Sequence, residues 1–410
     1  MTPNYGQQQP NPSFCLVCGT FGGTDVLLNI LLFIPFGLGL RLSGMRAWKA
    51  LIIAAATSLA IEVLQVGFIV GRDASLGDLV SNSVGGLVGI GLATSWRAWL
   101  FPRAWLARRL ALGGVVAWVA ILAASAWAAQ PSLPDLPYWG HWASLTGPGP
   151  LFPGKLIDVS VGNRRLPWGP LWNSRPYRHE LFTDHAPFRA IVLPGVPVEG
   201  LAPITRITDL HRQLVILLGQ EGRDLVFIMR THASDLRLRD PVLRIANVFP
   251  DSASVAARSP SAPPDLLHIA GGYSGRAYWV SASAQGMERR RVLPLGPGLG
   301  WSYLIPFRYA AGKNADILTA VWLGALLFPV GYWGARAAAG DRRPMERRAR
   351  RGGTMEMVAL LILAVVAGLL VVPLLFAEPL PHSWQWLACG VGALLGWELG
   401  AQRVFVRAAT

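Results

Sequence analysis

The sequence predicts an α+β membrane protein with about seven transmembrane helices and an extracytoplasmic all-β jelly-roll domain inserted between the fourth helix and the fifth. Three observations predict it. Of 410 residues, 52% are hydrophobic and only 15% charged, well under the roughly 25% charged content of soluble domains. Apolar runs recur at the length of about 20 residues that a membrane-crossing helix needs. Between two groups of such runs the chain turns rich in Pro, Arg and Asp and breaks into short alternating segments.

In chain order, the first four runs are 26–42, 48–70, the Gly-rich 76–96, and 110–129. They form a four-helix domain over residues 1–129. The β-rich domain occupies 130–313. Three further runs, 316–335, 355–377 and 384–404, make a C-terminal region over 314–410, with Glu398 interrupting the last. The start of the chain has no charged segment leading into an apolar core, so it does not read as a signal peptide.

The loops orient these spans, because Lys and Arg accumulate on the cytoplasmic side. Arg41, Arg46 and Lys49 follow the first span, and Arg97, Arg103, Arg108 and Arg109 follow the third. Arg336, Arg342, Arg343, Arg347, Arg348, Arg350 and Arg351 follow the fifth. The alternate loops are nearly bare. The N-terminus and residues 130–313 are therefore expected outside and the C-terminus inside, in a bacterial cytoplasmic membrane. The same distribution accounts for the net charge of +14. A nucleic-acid partner would need a basic stripe on a soluble module, so none is expected.

Within the middle domain, Leu214–Leu218 and Leu225–Arg230 flank the turn-like Gly219–Asp224 and predict a hairpin. Phe188–Leu193, Ile204–Thr208, Val242–Val248, Leu266–Ala270 and Arg276–Ala282 are further strand candidates. Many short strands with turn signals suggest a sandwich or jelly roll. Cysteines are three, Cys15, Cys18 and Cys389. The lone CxxC lacks a second pair for zinc, and a disulfide there depends on an oxidising compartment. The histidines lack metal-binding spacing. No metal and no cofactor is expected.

Ionisable groups inside spans cost roughly 2.5–3.5 kcal/mol each on insertion scales and mark function by default. Here they group. Asp25 and Asn29 lie four apart on the first span, Glu62 and Gln65 three apart on the second, Asp78 and Asn82 four apart on the third, and Arg72 sits in the turn between. Such spacings share a helix face. Glu62 lies about 13 Å below Gly71 at the helical rise. Three antiparallel helices with short connections are neighbours, so these faces turn inward together. The candidate catalytic residues are Glu62, Arg72 and Asp78. The candidate substrate-binding residues are Asn29, Gln65 and Asn82. The competing explanation is interhelical glue: amide side chains bond across membrane helices for about 1 kcal/mol each, and Arg72 pairs with Asp73 or Asp78.

The order Asn29…Phe33-x-Pro35-x-Gly37, Glu62-x-x-Gln65, Gly71-Arg72 and Asp78-x-x-x-Asn82-x-x-Gly85 resembles the VanZ-like membrane family over the first quarter of the chain. The middle region is similar to concanavalin A-like (laminin G-like) jelly rolls, on Leu214–Thr231 and Leu266–Ala282. The resemblance implies a bacterial cell-envelope role linked to teicoplanin resistance. Two functions from different classes follow. In the first, an outer-leaflet polar pocket binds or processes a polyprenyl-phosphate or glycan-lipid. In the second, the jelly roll binds cell-wall glycan through aromatics drawn from Trp168, Trp172, Tyr177, Tyr278 and Trp279, and the helices anchor it. A glycosidase built on Asp209, Glu221, Asp224 or Asp240 is the weakest reading, because these carboxylates form no alternating motif on one strand.

Overall fold

Apolar runs bounded by Gly, Ser and Pro become helices in the computed structural model, which describes residues 16–17, 19, 21–68, 75–132, 134–143, 150–253, 265–274, 276–305, 313–340 and 347–402. The amino-terminal helices are α1 (Gly22–Leu42), α2 (Ala47–Phe68) and α3 (Leu76–Thr94), followed after a single helical turn at Trp96–Leu100 by α4 (Ala104–Ala129). The β domain intervenes and contains a short helix, α5 (Arg175–Phe182), and a single helical turn at His232–Asp235. Then come α6 (Lys313–Ala339), α7 (Arg347–Val366, prolonged by a widened turn and a last helical turn to Leu375) and α8 (Ser383–Ala401). Among the described residues six helices are long and apolar enough to cross a membrane, which makes the chain a multi-pass membrane protein. Helix α8 forms over the seventh apolar run but is not one of the six; Gln385 and Glu398 interrupt its apolar face.

The helices divide by packing. Helices α1–α3 form one group. Helix α4 packs instead with the C-terminal helices, burying Trp118 and Leu122 against Leu323, Leu327, Ala364 and Leu369. The Trp118 indole donates to the Ala364 carbonyl at 2.9 Å, just before the widened turn Ala367–Val371 loosens the backbone ladder of α7. Helices α6 and α8 meet along glycines: a methyl at Gly331 would strike the Ala393 carbonyl, and one at Gly396 the Phe328 carbonyl. Small residues allow such backbone approach where lipid offers no hydrophobic drive for association.

The middle domain is two six-stranded antiparallel sheets. Its strands are β1 (Tyr138–Trp142), β2 (Lys155–Val161), β3 (Arg164–Arg165), β4 (Gly169–Leu171), β5 (Phe188–Leu193), β6 (Val198–Thr208), β7 (Leu214–Gly222), β8 (Asp224–Met229), β9 (Val242–Ile245), β10 (Leu267–Ser274), β11 (Ala277–Ala284) and β12 (Met287–Pro294). The orders are β4-β1-β6-β7-β8-β9 and β12-β11-β10-β5-β2-β3. Alternate residues of both sheets enter one buried core, including Ile204, Ile216, Leu218 and Phe227 from the first and Val159, Phe188, Ile269 and Val280 from the second. The predicted hairpin forms as β7–β8, but its turn is tighter than the sequence suggests. Glu221 pairs with Asp224, leaving only Gly222 and Arg223 to reverse the chain, and Gly222 takes φ +58°. Of the five aromatics nominated for sugar contact, Tyr177 and Tyr278 are core residues, whereas Trp168 and Trp172 are exposed.

The sandwich meets both helix groups at one end. Backbone N–H groups of Gly23 and Thr24 in α1 donate to the Arg237 carbonyl, and Thr24 Oγ1 donates to the Tyr303 carbonyl at 2.9 Å. The hydroxyls of Tyr278 and Tyr303 donate to the Ala129 and Ser125 carbonyls of α4. Trp301 Nε1 donates to Thr319 Oγ1 of α6 at 2.9 Å. The start of α1, the end of α4 and the start of α6 therefore lie on the same side as the sandwich.

Candidate functional site

The amino-terminal group closes on a glycine seam. A methyl at Gly85 would collide with the Ile30 carbonyl, one at Gly89 with the Ile34 carbonyl, and one at Gly37 with the Gly86 carbonyl. Four-residue spacing puts Gly85 and Gly89 on one stripe of α3, so α1 and α3 approach backbone to backbone. Helix α2 completes the group with the fully buried Ala50 and Ala54. Close approach matters for the polar residues, because it brings short amide and carboxylate side chains of different helices within bonding reach.

Ser75 starts the network. Its hydroxyl caps α3 by accepting from the Asp78 N–H at 3.3 Å, one of the donors left over at a helix start. Its own N–H donates to Glu62 Oε2 at 3.0 Å. The Glu62 side chain thus rests at the N-terminus of α3, where the helix dipole favours negative charge. Glu62 is only 5% exposed, so the expected inward turn of this carboxyl is met, and an amide reaches it. From α1, Asn29 Nδ2 donates to Asp78 Oδ1 at 2.9 Å. Deeper, Asn82 Nδ2 donates to Ser58 Oγ at 2.9 Å; Asn82 is 4% exposed and Ser58 fully buried.

These bonds join α1 to α3 and α2 to α3 at the end that faces the sandwich. Five of the six nominated residues lie here: Asn29, Glu62, Asp78 and Asn82 in the bonded network, and Gln65 one turn beyond Glu62. Arg72, with Cys15 and Cys18, lies outside the described residues. Asp25, in the first turn of α1, is exposed. Sequence reasoning passed over Ser58 and Ser75. A serine in a span costs little, so it gives no signal; Ser75 shows only as a helix-capping residue type three positions before Asp78.

The network is rich in acceptors. The Gln65 Oε1 and Asn82 Oδ1 atoms are buried with no hydrogen-bond partner among the described residues. Buried acceptors left bare cost about 1–3 kcal/mol each. Together with the Glu62 and Asp78 carboxyl groups they favour a ligand or side chain that brings hydroxyl or N–H donors.

No curated protein and no solved structure matches the chain. Residues 3–100, which hold the glycine seam and the whole polar network, match the VanZ/LLP1 family, and the first three helices form a VanZ-like membrane region.

Proposed function

We propose that the chain is a VanZ-like protein of the bacterial cell envelope whose α1–α3 network binds a glycan-lipid or polyprenyl-phosphate in the outer leaflet, in a role linked to teicoplanin-type glycopeptide resistance. The single observation that carries this reading is the buried network at the sandwich end of the helices, with two bare amide oxygens beside two carboxyl groups. Sugar hydroxyls supply the donors those acceptors lack. A phosphate alone would meet like charge there, so its contact falls to Arg72, a bidentate anion binder. Glu62 and Asp78 are the groups able to take or give a proton at a sugar hydroxyl. The positive loops support an outward-facing sandwich. The test is retention of an anionic isoprenoid and of its glycosylated form by the purified protein. Arg72→Ala is expected to lose the phosphorylated isoprenoid and Gln65→Leu to weaken the glycosylated form selectively. Wild-type retention of both lipids in both variants would remove the proposal.

A second reading has an observation of its own. We read the sandwich as a concanavalin A-like jelly roll, and the outer face of its second sheet is dished, with a hollow of about 310 Å³. Strand register lines up Ser160, Arg189, Ala270, Ser281 and Arg290 in one cross-strand row, and His268, Ser283 and Glu288 in the next. Arg290 lies over the Trp279 ring at 4.7 Å. Such a polar row beside an aromatic suits a glycan chain. Pull-down of full-length protein on cell-wall polysaccharide, compared with Ser281→Leu, tests it; equal capture would set it aside.

A further inference from the structure

The sandwich does not sit flush on the helix ends. Between the α5–β5 segment and the β10–β11 turn on one side, and the ends of α4 and α7 on the other, lies an open cleft of about 590 Å³. Arg178 and Arg276 line it from two separate elements, with His185 and Tyr273 beside them, while Phe182 and Phe376 supply apolar wall. Among the described residues no Asp or Glu side chain lines it. Neither arginine has a carboxylate partner among the described residues.

The walls are held in place. Arg276 Nη1 donates to the Glu378 carbonyl at 3.2 Å, which leaves the other N–H groups of its guanidinium. Gln130 Nε2 donates to the Phe376 carbonyl at 2.8 Å and ties the end of α4 to the end of α7. The His185 ring stands edge-on to Tyr273 at 4.9 Å. The cleft therefore opens where two apolar helices end: Gln130 follows α4 directly, and Phe376 follows the apolar stretch that closes at Leu375. That is the depth of lipid headgroups, at the margin of a hydrocarbon layer about 30 Å thick.

We propose that this cleft binds the phosphate of an anionic membrane lipid. Arg178 and Arg276 take the phosphate oxygens through charge-assisted bonds, and the chains of the lipid pass Phe376 into the bilayer. This is a different site from the α1–α3 network. It lies on other helices, offers cations where the network offers acceptors, and stands or falls independently of the function proposed above. The chemistry shared by the alternatives is a phosphate anion, and its source is either a lipid or a soluble phosphate.

The experiment titrates full-length protein in neutral detergent with dioctanoyl phosphatidylglycerol, dioctanoyl phosphatidylcholine and inorganic phosphate, reading thermal stabilisation, which ligand binding to the folded state produces. The expected result is saturable stabilisation by phosphatidylglycerol and little by phosphatidylcholine or phosphate. Arg178→Ala should weaken phosphatidylglycerol by about tenfold, in line with loss of one charge-assisted contact, while Arg178→Lys keeps most of it and both melt unliganded like the wild type. Arg276→Ala also removes the bond to Glu378, so Arg178 carries the test if that variant unfolds. Unchanged phosphatidylglycerol affinity in Arg178→Ala, or equal stabilisation by phosphatidylcholine, overturns the site. Inorganic phosphate binding as tightly as the lipid, and lost in Arg178→Ala, overturns the lipid assignment in favour of a soluble anion.

Discussion

Among the described residues, each of the two helix groups has one buried glutamate in or beside it, and the two are treated in opposite ways. Glu62, in the α1–α3 group, is 5% exposed and accepts an N–H from the start of α3. Glu378, just past the end of α7, is 2% exposed, and neither of its carboxyl oxygens has a hydrogen-bond partner among the described residues. Burial pushes the Glu378 carboxyl up to about 8 from its ordinary value near 4.5. Both groups contain helix seams built alike, from glycines that admit a neighbouring backbone. What distinguishes the groups is the supply of donors. One places its acid on a helix N-terminus and adds amides and serines from three helices. The other surrounds its acid with core and keeps it protonated at neutral pH.

The largest expected consequence concerns Glu378. Its folded-state value is raised, so between about pH 4.5 and about pH 8 the folded protein holds a proton that the unfolded chain has released. Stability then falls as pH rises through that window and levels off above it. The total change is on the order of 5 kcal/mol. Glu378→Gln should flatten the melting temperature against pH over the same range; an unchanged slope would mean that the carboxyl finds a donor or water in solution.

Next in size are the seams. Gly89→Leu in α3 and Gly396→Leu in α8 each drive a side chain into a carbonyl of the partner helix, at a cost of roughly 1–3 kcal/mol or more. Both should lower the yield of monodisperse protein. A variant that melts like the wild type would show that its seam is looser than described.

The smallest pair separates glue from ligand site. Trp118→Phe removes the bond to the Ala364 carbonyl and Asn82→Leu the bond to Ser58, each worth about 1 kcal/mol. If the amino-terminal network serves more than assembly, the two variants should lose similar stability, yet only Asn82→Leu should lose glycan-lipid retention. Retention surviving in Asn82→Leu reduces that asparagine to packing.

Long-range features divide by how much of their cause lies in one stretch of chain. Helices α1 to α4 are legible because about 20 apolar residues have few other uses. Asn29, Glu62, Asp78 and Asn82 are legible because each is costly where it stands. Helix α8 is harder, since Gln385 and Glu398 dilute its apolar signal while packing on α6 holds it. Strand β12 was not anticipated: Glu288 to Arg291 looks like a charged loop, and only its full-length pairing with β11 makes it a strand. Strands β3 and β4 are two and three residues long, too short for alternation to register. The cleft is illegible in any window. Arg178, Arg276 and Phe376 lie about a hundred residues apart, and tertiary folding alone unites them.

Tyr303 deserves a last consequence. Its carbonyl holds α1 through Thr24 while its hydroxyl holds α4 through Ser125, so one residue fastens together helices that otherwise pack in separate groups. A tilt of either group relative to the other strains the same clasp. The sandwich is therefore tied to both sets of helices through one residue, and a force that displaces it is felt by both at once.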